Sequence, residues 1–228
     1  MLENPPVLTI YRGHRRPDES LLAAFRGVQT SHVADAMEGR GALDWRIKPL
    51  DCMNSMFIGS ALTAHSYPAD ILGTIGAVME ASAGDVVMCA NDGYTGTAVV
   101  GDLTAGMMRN KGVAAFVTDG LARDRAGIIA TGLPLFAAGI SPNSPAKMGP
   151  GRVGGPIVLG GVRVCSGDIV VGDADGVVVV PLAQAEAVLE RLKTVQVAEK
   201  SAMETVKAGA TSSASWQNIL KQACIVQS

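Results

Sequence analysis

The chain has 228 residues, of which 48% are hydrophobic and only 4% aromatic, with 27 glycines and four cysteines, and it carries a formal net charge of −2. That length suits one α/β domain with trimmings and a core of its own, and glycine above the usual roughly 7% announces many tight turns. Charges of both signs are scattered without a basic block, which argues against nucleic acid or an anionic membrane surface as partner, and no apolar run approaches the ~20 residues of a membrane span. Cys52, Cys89, Cys165 and Cys224 show neither CxxC nor zinc spacing and read as thiols in a reducing compartment.

Met1 to Asp18 contains Asn4-Pro5-Pro6 and the charged run Tyr11 to Arg16, but no apolar leader core or cleavage site, so the cytoplasm is the expected location. Pro17-Asp18-Glu19-Ser20 opens a helix through Leu21, Leu22, Ala24, Phe25 and Val28 that ends near Gly27. Thr30-Ser31 is placed to cap a second helix, His32 to Gly39, with His32 as a capping or core residue. Residues 56–67 read as a strand, and Ile71 to Met79 as a short helix.

A pattern then occurs twice. Ala83-Gly84-Asp85 to Asp92-Gly93 and Ser166-Gly167-Asp168 to Asp175-Gly176 align without gaps as a small-Gly-Asp turn, an apolar strand and an Asp-Gly turn into another strand. The glycines and aspartates read as suppliers of backbone angles in one β layer. Two units are too few for a solenoid, and a closed or swivelling β layer packed on helices fits better.

Between the two copies lies a β-α-β unit: an apolar run from Gly96 to Gly101, a helix from Asp102, and a second run from Val113 to Val117 that ends at Thr118-Asp119-Gly120. If those strands are parallel neighbours, both open on the sheet edge where α/β proteins bind ligands. Pro134 to Gly139 is a further strand, 141–156 the longest loop, and Ile157 to Val164 and Val177 to Pro181 are strands again. From Leu182 to about Ala208 apolar residues recur at helical spacing, and the polar hinge Thr211 to Ser215 leads to an apolar tail, Trp216 to Val226. The expected organisation is residues 1–181 as the domain and 182–228 as a helix and tail in contact with other subunits.

Several motifs fail. Gly149-Pro150-Gly151-Arg152-Val153-Gly154 spells G-x-G-x-x-G, but Gly155-Pro156 and a β run follow where a dinucleotide site needs a helix. There is no P-loop lysine motif, no G-x-S-x-G elbow, and no metal spacing among His14, His32 and His65.

What survives is Gly101-Asp102-Leu103-Thr104 followed by D-x20-R-D, running from Asp102 to Arg123 and Asp124. Gly101 lets a ligand approach the backbone, and the amides of Asp102, Leu103 and Thr104, in the first helical turn, are free to hold a carboxylate. Arg123 offers a charged fork to a carboxylate or keto oxygen, and Asp124 a hard oxygen for Mg²⁺ or Mn²⁺. The sum points to a small 2-oxo acid. The same residues also suit a plainer arrangement, with Asp102 capping a helix and Arg123-Asp124 a surface pair.

Gly101-Asp102-Leu103, Asp119-Gly120 with Arg123-Asp124, and Ser166 to Val177 together resemble the RraA-like family, which includes regulator of ribonuclease activity A and the 4-hydroxy-4-methyl-2-oxoglutarate / 4-carboxy-4-hydroxy-2-oxoadipate aldolases. The resemblance implies a swivelling β/β/α fold, homotrimers or homohexamers, and a divalent-metal-dependent class II pyruvate aldolase with oxaloacetate decarboxylase activity. It implies that Gly101 to Thr104 hold the pyruvate carboxylate, Arg123 contacts the keto oxygen, Asp124 anchors Mg²⁺ or Mn²⁺, and Asp102 orients a water of the metal for proton transfer. The aldolase pattern has Asp or Glu three residues past the metal aspartate, where this chain has Gly127, a departure that Glu199 or Asp35 of a neighbouring subunit would have to offset. The alternative implied is a non-catalytic, protein-binding regulator of ribonuclease. A methyltransferase reading lacks a cofactor-binding glycine motif after the first strand.

Overall fold

In a computed structural model, which describes residues 5–226, four parallel strands run side by side: Phe57–Ser66, Asp85–Ala90, Ala115–Thr118 and Leu135–Ala137. Met1 to Asn4, the start of the segment read above for a leader, and Gln227-Ser228 lie outside the described residues. Every residue of Asp85–Ala90 is buried, which explains its unbroken apolar run: this strand is covered on both faces. Its side chains alternate. Val87 and Cys89 face the helices Leu72–Glu80, Asp102–Asn110 and Arg125–Thr131, packing with Ala77, Ala105, Met108 and Ile128, whereas Val86 and Met88 join Val117 and Phe136 beneath the hairpin Ile157–Leu159/Val162–Val164.

The two copies of the repeated pattern flank the same strand. Asp85–Ala90 pairs with Phe57–Ser66 in parallel and Ile169–Asp173 pairs with it antiparallel. Their opening turns use one device: Gly84 and Gly167 take positive φ (80° and 97°), and the following aspartate accepts the N–H three residues back, Ser82 to Asp85 at 2.8 Å and Cys165 to Asp168 at 2.8 Å. The copies part company at their ends. Asp175-Gly176 turns a hairpin into Gly176–Val180, while the chain after Asp92-Gly93 leaves this sheet.

It enters a second, three-stranded parallel sheet made of Ala98–Val100, Leu121–Ala122 and Gly139–Ile140. This corrects the expected pairing of 96–101 with 113–117. The latter run belongs to the large sheet, and the neighbour of Ala98–Val100 is Leu121–Ala122, reached through Thr118-Asp119-Gly120. Gly120 permits the shift, since a Cβ there would lie 3.0 Å from Asn91 Oδ1 and 3.1 Å from a Val99 methyl.

Three smaller expectations change. Residues 157–164 form a hairpin because Gly160-Gly161 both take positive φ (54° and 81°). The loop 141–156 contains a strand, Gly151–Val153, paired with Leu8–Ile10 and with Phe57–Ser66, so the glycine-rich match there is β structure. Thr30 does not cap its helix, Thr30–Ala36; its N–H and hydroxyl both donate to Asp173, each at 2.8 Å.

The C-terminal helix spans Ala185–Lys207. Its Ala185, Val188 and Leu192 are buried in a third core with Phe25, Val33, Ile169 and Val180, whereas Val197, Met203 and Val206 are exposed. A last helix, Ala214–Lys221, leaves Trp216, Ile219 and Leu220 exposed. Among the described residues no helix is long and apolar enough to cross a membrane.

Candidate functional site

Ala98–Val100 ends at Gly101, whose extended backbone (φ −139°, ψ −178°) turns the chain directly into the helix Asp102–Asn110. The neighbouring strand Leu121–Ala122 ends at Arg123, tied across by its N–H to the Val100 carbonyl at 3.0 Å. Strand pairing therefore brings the helix N-terminus and Arg123 together. A Cβ at Gly101 would stand 3.0 Å from Asp124 Oδ2 and 3.3 Å from Arg123 Nε, so a side chain here would press on both.

The amides of this turn are not all free, which corrects the expectation. Gly101 N–H donates to Thr104 Oγ1 at 3.1 Å, and that hydroxyl donates back to the Gly101 carbonyl at 2.9 Å. Leu103 N–H donates to Asp102 Oδ1 at 2.7 Å, so the Asp102 carboxylate fills part of the anion cradle itself.

Asp124 takes a left-handed backbone (φ 57°, ψ 42°), a conformation that aspartate tolerates better than most residues. It precedes the helix Arg125–Thr131 but its carboxylate makes no capping bond; instead Oδ2 lies 3.1 Å from Arg123 Nε, with both side chains partly exposed. An exposed carboxylate not used by its own helix is a suitable oxygen donor for a hard cation. Among the described residues no group of three or more His, Cys, Asp or Glu could enclose a metal. A single carboxylate of this kind fits an ion that keeps most of its waters, as Mg²⁺ does.

Asp102, Leu103, Thr104, Gly101 and Arg123 line one cleft of 260 Å³, with Ile71, Ile75, Ala98 and Val100 as its apolar wall. That is below the roughly 300–1,000 Å³ of sites for drug-sized ligands and suits a small acid. Ser144, Pro145 and Lys147 close the other side, and Arg123 Nη1 donates to the Ser144 hydroxyl. These loop residues were missed in the sequence, where the only signal was the length of the loop. Their position is set by Asp70, which accepts from Leu72 N–H at 2.7 Å on one oxygen, and from Met148 N–H at 2.6 Å and Gly149 N–H at 3.0 Å on the other. Asp35 and Glu199 are exposed, on other helices.

Asp119 is a strut between strand ends. It accepts from Asn91 N–H at 2.6 Å and Gly93 N–H at 3.2 Å; burial raises its pKa, a shift those hydrogen bonds oppose.

Comparison with known proteins gives a consistent answer. The RraA-like family, described as Aldolase/RraA, matches residues 30–179. A Halalkalibacterium halodurans protein provisionally named 4-hydroxy-4-methyl-2-oxoglutarate aldolase is 38% identical over 77% of this chain and 83% of its own. An uncharacterized protein from Pseudomonas syringae superposes with a TM-score of 0.76 at 26% identity, over 87% of this chain and 97% of the other. The RNA-processing inhibitor RraA of Thermus thermophilis superposes with a TM-score of 0.62 at 27% identity, over 68% and 93%. With the mixed α/β fold, the long C-terminal helix and this family match all in agreement, the chain belongs to the RraA-like (Aldolase/RraA) family.

Proposed function

We propose that the protein is a divalent-metal-dependent lyase that cleaves 4-hydroxy-4-methyl-2-oxoglutarate or 4-carboxy-4-hydroxy-2-oxoadipate to pyruvate products, and that also decarboxylates oxaloacetate. The observation that carries this reading is the cleft in which the first turn of the helix Asp102–Asn110 meets Arg123, with Asp124 held beside the arginine at 3.1 Å. The aldolase relative supports the reaction class.

In this reading the substrate's 2-oxo acid end lies at the N-terminus of this helix, where the dipole and the first-turn amides that Asp102 does not occupy favour a carboxylate. Arg123 faces the 2-keto oxygen. When the C3–C4 bond breaks, its electron pair moves onto that oxygen as the enolate of pyruvate, and the fixed guanidinium charge stabilises it. The C4 hydroxyl loses its proton as C4 becomes a carbonyl; in oxaloacetate CO₂ leaves instead. Asp102 serves the proton transfers, the last of which returns a proton to C3. Asp124 would hold Mg²⁺ or Mn²⁺, which supplies Lewis-acid polarisation of the keto group, and Asp102 would orient a water of the metal. Exposed Leu103 and Met107 on the helix Asp102–Asn110, and the exposed apolar tail, support contacts between subunits, in an assembly we read as a homotrimer or homohexamer.

The test is pyruvate release from oxaloacetate and from 4-hydroxy-4-methyl-2-oxoglutarate with Mg²⁺ or Mn²⁺, repeated with chelator. Turnover that chelator abolishes supports the lyase. Absence of turnover favours the second reading, a non-catalytic ribonuclease regulator, which the glycine at position 127 and the Thermus structure support.

A further inference from the structure

Gly127 lies in the first turn of the helix Arg125–Thr131, packed against the first turn of the helix Asp102–Asn110. A Cβ at position 127 would stand 2.7 Å from Asp102 Cβ, 2.7 Å from Asp102 Oδ2 and 3.1 Å from its carboxyl carbon. Real Cβ atoms essentially never approach other atoms as closely as 2.7 Å. The clash with Asp102 Cβ cannot be relieved by rotating the carboxylate alone; either the aspartate swings away or the helices separate. The other side of the carboxylate is fixed, since Oδ1 accepts the Leu103 N–H at 2.7 Å. Asp102 is therefore held between an amide and a bare glycine.

We propose that Gly127 is a positioning residue whose missing side chain creates the berth of the Asp102 carboxylate in the cleft. On this account position 127 has not simply lost an acid. The space a side chain would need is taken by Asp102, so restoring an acid at 127 expels the carboxylate already present. Gly127 acts through Asp102 and touches no reacting atom. The inference rests on the proposed role of Asp102 in proton transfer.

The experiment uses the full-length protein with Mg²⁺ and oxaloacetate, comparing the parent with Gly127→Ala, Gly127→Glu, Asp102→Gly and the double variant Asp102→Gly/Gly127→Ala. Rates are measured across pH, and the affinity for Mn²⁺ alone by titration. A shift of about 1 Å in a reacting group costs on the order of a hundredfold, so Gly127→Ala should lower kcat by about tenfold to a hundredfold and displace the pH profile. KM should stay within about twofold, as expected when a transition-state interaction is lost. Asp102→Gly/Gly127→Ala should be no slower than Asp102→Gly, because the group that alanine displaces is gone. Gly127→Glu should be slower than the parent and bind Mn²⁺ no more tightly.

The proposal is overturned if Gly127→Ala matches the parent in kcat and pH profile, if Gly127→Glu is faster or tighter for Mn²⁺, or if alanine slows the Asp102→Gly background further. Should Gly127→Ala not fold, the double variant decides: folding recovered with Asp102→Gly supports the berth, and folding still lost overturns it. A parent without metal-dependent turnover contradicts the lyase reading itself. An active parent with an indifferent Gly127 contradicts only this inference.

Discussion

Asp124 shows how a single backbone torsion prepares a site. In a right-handed conformation it would be one more residue in the first turn of its helix; at φ 57° it sits ahead of that helix, beside Arg123 and over Gly101. Lys147 is the residue whose role is most sharply testable at this scale. It lies in the cleft with Arg123, and its ammonium suits the second carboxylate of a 2-oxo diacid. A hydrogen bond to a charged group is worth about 1.5–3 kcal/mol. Lys147→Ala should therefore raise KM for 4-hydroxy-4-methyl-2-oxoglutarate by about tenfold or more with kcat little changed, as measured by initial rates. An equal fall in kcat would mean that Lys147 acts in the transition state.

At the scale of elements, the paired Gly-Asp turns make the β layer. Asp168 accepts Cys165 N–H at 2.8 Å and Leu182 N–H at 3.0 Å, tying a strand start to the entry of the C-terminal helix. Asp168→Ala strands two part-buried donors and should cost about 1–3 kcal/mol, read from the urea midpoint. These turns were legible in the sequence because their chemistry is local: a glycine, an aspartate and an amide three residues back. The candidate residues could be named from the sequence as well, Gly101 at the end of one apolar run and Arg123-Asp124 just beyond the turn Thr118-Asp119-Gly120 that ends the next, and the structure places the three side by side. Strand pairing was not legible. Leu121–Ala122 has two residues, too short for periodicity to register, and its pairing depends on Gly120 fitting against Asn91 and Val99. Lys147 and Ser144 were hidden for a related reason: their loop is fixed by Asp70, far away in the chain. Nor could the sequence reveal that Gly127 faces Asp102, a contact between two helices.

At the scale of the whole molecule, the C-terminal helix has two halves with different work. Val188 and Leu192 are buried with Phe25 and Val33, and burying such side chains contributes about 1.5–3 kcal/mol each. That is a large part of the 5–15 kcal/mol of a typical domain. A chain ending at Pro181 should lose cooperative thermal unfolding, whereas one ending at Ala208 should keep its Tm within a few degrees of the parent, as scanning calorimetry would report. The exposed residues Trp216, Ile219 and Leu220 would go with the tail, and any change in assembly state would appear in sedimentation of the shorter chain.

Asp124 and Arg123, facing the first turn of a helix, are proposed as a metal-dependent lyase site. Pyruvate release from oxaloacetate, compared between the parent and Asp124→Ala at saturating Mg²⁺, decides whether they act so. The expected outcome is a chelator-sensitive parent rate and a loss of at least about a hundredfold in the variant, the scale on which removing one electrostatic stabiliser acts. A variant as fast as the parent, or a parent rate indifferent to chelator, would rule the metal-dependent lyase out.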